Sequence, residues 1–209
     1  MLLSQLCFVI LGFLSGSILF SYHLPLWLKG VDVVRTSADH NPGTANAFRL
    51  AGIPVGLLCL LTDMAKGFLP VWLAVRRFGP QFPLLPLVMA APALGHALAP
   101  WYAFRGGKAI ATAFGVLAGL LPFSHAVWAL VFWYLFFSLV LIIRPNERRS
   151  IFAFLMFSLT CAAVSIRTGR HWLALGCALL AAVPIVKNHA DLERAQAAMD
   201  KLRHTAQDA

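Results

Sequence analysis

Residues 125–143 read HAVWALVFWYLFFSLVLII, nineteen positions without a single Asp, Glu, Lys or Arg. A hydrocarbon layer about 30 Å thick is crossed by a helix of about 20 mostly apolar residues, because lipid offers no partner for backbone N–H and C=O groups. Working outward from this run, further apolar windows recur between charges and turn signals near 3–22, 51–75, 82–100, 109–122, 150–166 and 171–186. Together they predict an all-α, polytopic membrane bundle of about seven transmembrane helices. Composition agrees: 60% of the 209 residues are hydrophobic and 12% are charged, which excludes an ordinary soluble domain. The windows leave room for one bundle over residues 1–190, followed by a polar stretch, 191–209, expected as a cytoplasmic tail or short helix. Ser15-Gly16-Ser17 imitates a signal-peptide cleavage site, but a positive leader is missing and the apolar character continues, so 3–22 is expected as a retained span.

Charge sets the expected orientation. Assigning loops alternately gives one side twelve basic residues, Lys29, Arg35, Arg49, Arg105, Lys108, Arg144, Arg148, Arg149, Lys187, Arg194, Lys201 and Arg203. The other side receives only Arg76, Arg77, Arg167 and Arg170, and Lys66 falls inside a span. The positive-inside rule then places the N-terminus outside and the C-terminus in the cytoplasm. A net charge of +9 spread over short loops fits anionic lipid or phosphorylated substrates and argues against nucleic acid as a partner. Cys7, Cys59, Cys161 and Cys177 sit within apolar runs and are expected as small buried side chains. No His/Cys/carboxylate spacing argues for a metal or another cofactor.

Three polar features stand against this background. Asp63 and Lys66 share one helical face inside a span, where a mutual pair costs less than two isolated charges; a packing role and a substrate-facing role both remain open. The segment 37–49, Ser-Ala-Asp-His-Asn-Pro-Gly-Thr-Ala-Asn-Ala-Phe-Arg, gathers Asp39, His40, Asn41, Asn46 and Arg49 just before a span. Asn41-Pro42-Gly43 alone would make a turn, so the surplus of hydrogen-bonding groups points to a polar binding site. In the segment 95–108, Gly106 and Gly107 leave backbone amides open at a helix start beside Lys108, the physics of a phosphate cradle. It is not the nucleotide P-loop pattern, whose first glycine would fall at Ala103. His96, near the end of the third window, can serve as a general base or as a hydrogen-bonding partner of phosphate. His23, His125, His171 and His204 lack polar company in the sequence and receive no role.

At these loops the chain resembles the bacterial acyl-phosphate:glycerol-3-phosphate acyltransferases, the PlsY type, over essentially its whole length. The family's second motif, roughly G-H-x-F-P-x-F-x-x-F-K-G-G-K-G-V-A-T, is met by Gly95, His96, Pro100, Phe104, Gly106, Gly107, Lys108, Ala111 and Thr112, with Arg105 for lysine and Ala109 for a glycine. The first, roughly G-S-G-N-x-G-A-T-N-x-x-R-x-x-G, is met by Asn41, Gly43, Asn46, Arg49 and Gly52, with Asp39 at its serine. Asp191, Leu192, Arg194, Ala198 and Asp200 can be set against a third motif, and Ser138 against a serine-leucine pair.

The resemblance implies an enzyme of the bacterial inner membrane, without cofactor or metal. It would move a fatty acyl group from acyl phosphate to the 1-hydroxyl of glycerol 3-phosphate, giving lysophosphatidic acid and phosphate. The implied acyl-phosphate cradle is Gly106, Gly107 and Lys108 with Thr112 nearby; Asn41, Gly43, Asn46 and Arg49 would hold glycerol phosphate, helped by Arg105 or Arg194, with Ser138 on the same cavity. Functional loops are expected near 29–50, 101–108 and 144–150. Candidate catalytic residues are Asp39, His96 and Lys108, the substrate phosphate itself being the favoured proton acceptor. Two rivals stay open: a transporter or flippase of a phosphorylated solute, and a non-catalytic relative that binds lipid phosphate.

Overall fold

In the computed structural model, residues 1–207 are described, apart from the side chains of residues 202, 204, 206 and 207; the end of the expected tail and the His204 side chain lie outside this description. Among the described residues the regular structure is helical throughout. The helices are α1 (Leu2–Gly16), α2 (Phe20–Lys29), α3 (Val33–Thr36), α4 (Thr44–Ala51), α5 (Ile53–Phe78), α6 (Leu85–Leu98), α7 (Ile110–Ala118), α8 (Ala126–Leu135), α9 (Asn146–Thr168) and α10 (His171–Gln207). A π-helical turn, Phe136–Val140, continues α8. Residues 2–29, 53–78, 146–168 and 171–201 are each long and apolar enough to cross a membrane. At 1.5 Å per residue, the nine residues of α7 reach only about 14 Å and the turns at 119–123 extend them.

Each expected window contains helix, and the departures have local causes. The first window is broken at Ser17–Leu19, between α1 and α2, where the Ile18 carbonyl accepts the Lys66 ammonium at 2.6 Å. Irregular backbone at such depth is tolerated because protein supplies its partners. The fourth window stops as a helix at Ala118 and continues as turns that include Pro122. The last does not stop near 186: α10 runs on as one helix through residue 207. Asp32 accepts from the Val34 and Arg35 amides at 3.1 Å each, capping α3 and starting the polar segment that leads to α4.

The main core lies among α5 to α10, with Met89, Leu117, Phe154, Phe157 and Leu180 fully enclosed. Large apolar side chains such as Leu61, Phe132, Leu159 and Ile166 face outward, as a lipid-facing surface requires. Cys59, Cys161 and Cys177 are buried as expected; Cys7 is a correction, since it lies on the exposed face of α1. His23 also gains a partner that the sequence did not reveal, hydrogen bonding the Tyr102 hydroxyl.

The site's floor is set by a close crossing of α5 and α7. A Cβ on Gly115 would run into the Met64 carbonyl, and one on Gly67 into the Thr112 carbonyl. Small residues let backbones approach, which is the main source of helix attraction where lipid is as apolar as the side chains. Gly115→Val should therefore destabilise the bundle by about 1–3 kcal/mol, while the lipid-facing Leu159→Val stays within about 0.5 kcal/mol. Denaturation of the detergent-solubilised variants measures both, and equal stabilities would show that the crossing tolerates a wider separation.

Candidate active site

A cavity of about 530 Å³ opens where the loop before α4, the loop before α7 and the first turn of α9 converge. Its lining includes Asp39, Asn41, Gly43, Asn46 and Arg49 from the first loop and α4, His96 from α6, and Lys108 and Ala109 from the second loop. The two polar segments singled out in the sequence, separated by residues 50–94, therefore share one site. Phe48, Leu60, Ile110 and Phe114 add an apolar wall.

Lys108 is the tie. Its ammonium lies 3.2 Å from Asp39, 2.9 Å from Glu147 and 3.2 Å from Asp191, joining the first loop, α9 and α10. Burial alone would lower its pKa; the hydrogen bond it donates to Glu147 and the charges of Asp39, Glu147 and Asp191 outweigh burial and raise it. Asp39 is the mirror case. Burial would raise its pKa, but the Asn46 amide, donating at 2.8 Å, and the Lys108 ammonium hold it below the usual carboxylate value. Both groups are thus charged at neutral pH. Asn46 also donates to the Asn41 carbonyl at 2.9 Å, bracing the turn that presents Asp39.

Two further cations face the cavity. Arg49 is exposed and Arg149 is half-buried, and among the described residues neither forms an ion pair with a carboxylate. The Arg149 Nε is enclosed without a hydrogen-bond partner among the described residues. A buried, unsatisfied guanidinium nitrogen is costly, and an anion on the cavity side would relieve it. At the cavity floor, Asp63 forms with Lys66 the ion pair foreseen in the sequence, at 2.8 Å and almost fully buried. Ser21 and Thr44 hydrogen bond the other Asp63 oxygen.

The remaining predicted site residues are placed as follows. Gly107 is buried between His96 and Asn41, beside the cavity. Gly106 serves close packing, since a Cβ there would strike the His96 and Ala97 carbonyls. Thr112 is fully buried in the α5/α7 seam. Ser138 donates to the Tyr134 carbonyl and lines an adjoining hollow that shares Asn146, Glu147 and Arg149 with the main cavity. Arg105 and Arg194 are exposed and outside the lining, Arg194 pairing with Asp191 at 3.3 Å. Sequence reasoning marked the segment 144–150 but missed its individual members, Asn146, Glu147, Arg149 and Ser150, and missed Tyr134 and Asn188. The Asn-Glu-Arg-Arg run at the start of a span was the available signal for the first group. Ala109 holds a left-handed backbone, φ +58°, at the position where the resembled motif has glycine.

Comparison with known proteins gives this geometry a family. The family model described as glycerol-3-phosphate acyltransferase matches residues 6–198. A glycerol-3-phosphate acyltransferase of Myxococcus xanthus (strain DK1622) is 46% identical over 125 residues, 59% of this chain and 64% of that protein. One of Thermotoga petrophila is 44% identical over 110 residues, 53% of this chain and 55% of that protein. The chain thus aligns with less than two thirds of the length of these curated relatives. The crystal structure of PlsY (YgiH), an integral membrane glycerol 3-phosphate acyltransferase, in its glycerol 3-phosphate form has a TM-score of 0.77 at 28% identity, with 93% of each chain covered. Its lysophosphatidic acid form has a TM-score of 0.76 over the same coverage. This polytopic helical membrane protein, matched by the family model over nearly its whole length, belongs to the glycerol-3-phosphate acyltransferase family.

Proposed function

We propose that the chain transfers a fatty acyl group from acyl phosphate to the 1-hydroxyl of glycerol 3-phosphate, releasing lysophosphatidic acid and inorganic phosphate for phospholipid synthesis. The observation that carries this reading is the convergence of residues from the segment 39–49 with Lys108 and Ala109 on one cavity that combines three cations with an apolar wall. Two phosphates and an acyl tail have matching surfaces there. Gly107 and Lys108 suit the phosphate of the acyl donor, and Arg49, Arg149, Asn41 and Asn46 suit glycerol 3-phosphate. Lys108 engages phosphate by giving up one of its three carboxylates.

In the reaction, the hydroxyl oxygen of the acceptor bonds to the acyl carbonyl carbon, the bond from that carbon to the phosphate oxygen breaks, and phosphate departs with the electron pair. The hydroxyl proton passes to a phosphate oxygen, with the ionised Asp39 as the alternative acceptor on the protein. Acyl phosphate is already activated, so holding the reactants together and stabilising charge suffices without a covalent intermediate.

The proposal includes seven crossings of a bacterial inner membrane, N-terminus outside and C-terminus in the cytoplasm. Arg49, Lys108 and Arg149 all fall on the side richer in basic residues, which supports access from the cytoplasm.

Purified protein in lipid, given acyl phosphate and glycerol 3-phosphate, should release phosphate only when the acceptor is present. Solute movement across vesicles without acyl transfer would favour a transporter instead, and binding without turnover a non-catalytic relative. Lys108→Ala should lose about 100-fold or more of this activity, the scale for removing a preorganised cation or donor; full activity in that variant would remove Lys108 from the cradle. Arg149→Ala should raise KM for glycerol 3-phosphate by about 10- to 100-fold, matching one lost charge-assisted hydrogen bond. An unchanged KM would assign Arg149 to packing.

A further inference from the structure

His96 can act on substrate either by taking a proton or by donating one in a hydrogen bond, and the sequence leaves both roles open. The surroundings of Lys66 decide between them. An ammonium group has three hydrogens and no lone pair. The Lys66 nitrogen is within hydrogen-bonding distance of the Ile18 carbonyl at 2.6 Å and of His96 Nδ1 at 2.7 Å, and it forms an ion pair with Asp63 Oδ1 at 2.8 Å. The Asp63 carboxylate, which also accepts from Ser21 and Thr44, is the charge partner of this ammonium. His96 Nδ1 must therefore be the lone-pair nitrogen, and the ring proton of the neutral imidazole resides on Nε2. Adding a second proton would set an N–H against the ammonium at hydrogen-bond distance.

Nε2 is the end that meets the cavity. A Cβ built on Gly107 would lie 2.5 Å from His96 Nε2 and 3.3 Å from Asn41 Oδ1, so the bare glycine leaves the nitrogen open beside Lys108. We propose that Lys66 is a positioning residue that fixes His96 as an Nε2–H hydrogen-bond donor to a phosphate oxygen in the cavity, and that His96 is not the base of the reaction. The inference rests on the acyl-transfer reading for the identity of the phosphate, but the tautomer does not. Asp63, Lys66 and the break in the first helix then act as one device that aims a neutral donor at an anion.

Long-range proton–nitrogen correlation spectra of the full chain, labelled at histidine nitrogen and held in lipid nanodiscs, test the tautomer directly, with the His96→Gln spectrum assigning the signal. A pyridine-type Nδ1 and a protonated, pyrrole-type Nε2 are expected. An Nδ1–H tautomer or a doubly protonated ring at neutral pH overturns the proposal. The double variant Asp63→Asn, Lys66→Met removes both buried charges together and should release the ring into a mixture of tautomers; an unchanged spectrum would show that Lys66 does not set it. Acceptor-dependent phosphate release supplies the second arm. Glutamine offers one acceptor towards Lys66 and one donor towards the cavity but cannot serve as a base. His96→Gln should stay within about tenfold of the parent, whereas His96→Ala should fall a further 10- to 100-fold, about the value of one hydrogen bond to a charged group. Equal, complete loss in two folded variants would return His96 to the role of base. If the parent protein transfers no acyl group, the functional reading fails while the spectra still decide the tautomer.

Discussion

The structure depends on how one ammonium group is satisfied inside the bundle. Lys66 lies where lipid and helix backbone would leave a charge without partners, a cost of at least several kcal/mol. The protein answers from three directions: a carboxylate one turn away on α5, a carbonyl freed by the break between α1 and α2, and the ring of His96 on α6. These contacts fix the positions of three transmembrane elements around the cavity floor. The close α5/α7 crossing then sets the height at which the second loop enters.

Lys108 does at the water boundary what Lys66 does in the interior, but with a different balance. Three carboxylates from separate parts of the chain gather around it. Part of that attraction is given back when a substrate anion arrives, because the carboxylates repel phosphate as they release the cation. Asp39 makes this competition specific to the present chain: the resembled motif has an uncharged serine there. The left-handed Ala109 is a second such departure, since its conformation costs about 1–2 kcal/mol more for a side chain with a Cβ than for glycine. The cradle keeps its shape despite the substitution, which means that surrounding contacts, not local preference, define it.

Much of this was legible in the sequence. Uncharged runs of nearly twenty residues define a membrane bundle because lipid enforces backbone pairing locally. The Asp63–Lys66 pair was legible from their three-residue spacing, and the segment 37–49 from its surplus of polar groups beyond what a turn needs. Contacts among residues 39, 108, 147 and 191 were not legible, since no periodicity links them. Arg149 was counted only as one more cation under the charge rule, which cannot distinguish a guanidinium aimed into a cavity from Arg105 or Arg194 in solvent. The break at Ser17–Leu19 was hidden for a related reason: Ser15-Gly16-Ser17 is compatible with an uninterrupted helix, and the partner of the freed carbonyl is a lysine forty-eight residues further along.

That break also constrains the order of assembly. Without the second long helix, the carbonyl of Ile18 would lack this partner, and the N-terminal segment alone would gain by closing into a continuous helix. The bent form becomes the better one only once a cation from the next segment reaches it. The Asp63 carboxylate travels on the same helical turn as that cation, so the incoming segment crosses as a neutral pair and exchanges part of its internal attraction for the waiting carbonyl. The N-terminal region thus owes its bent shape to a later part of the chain.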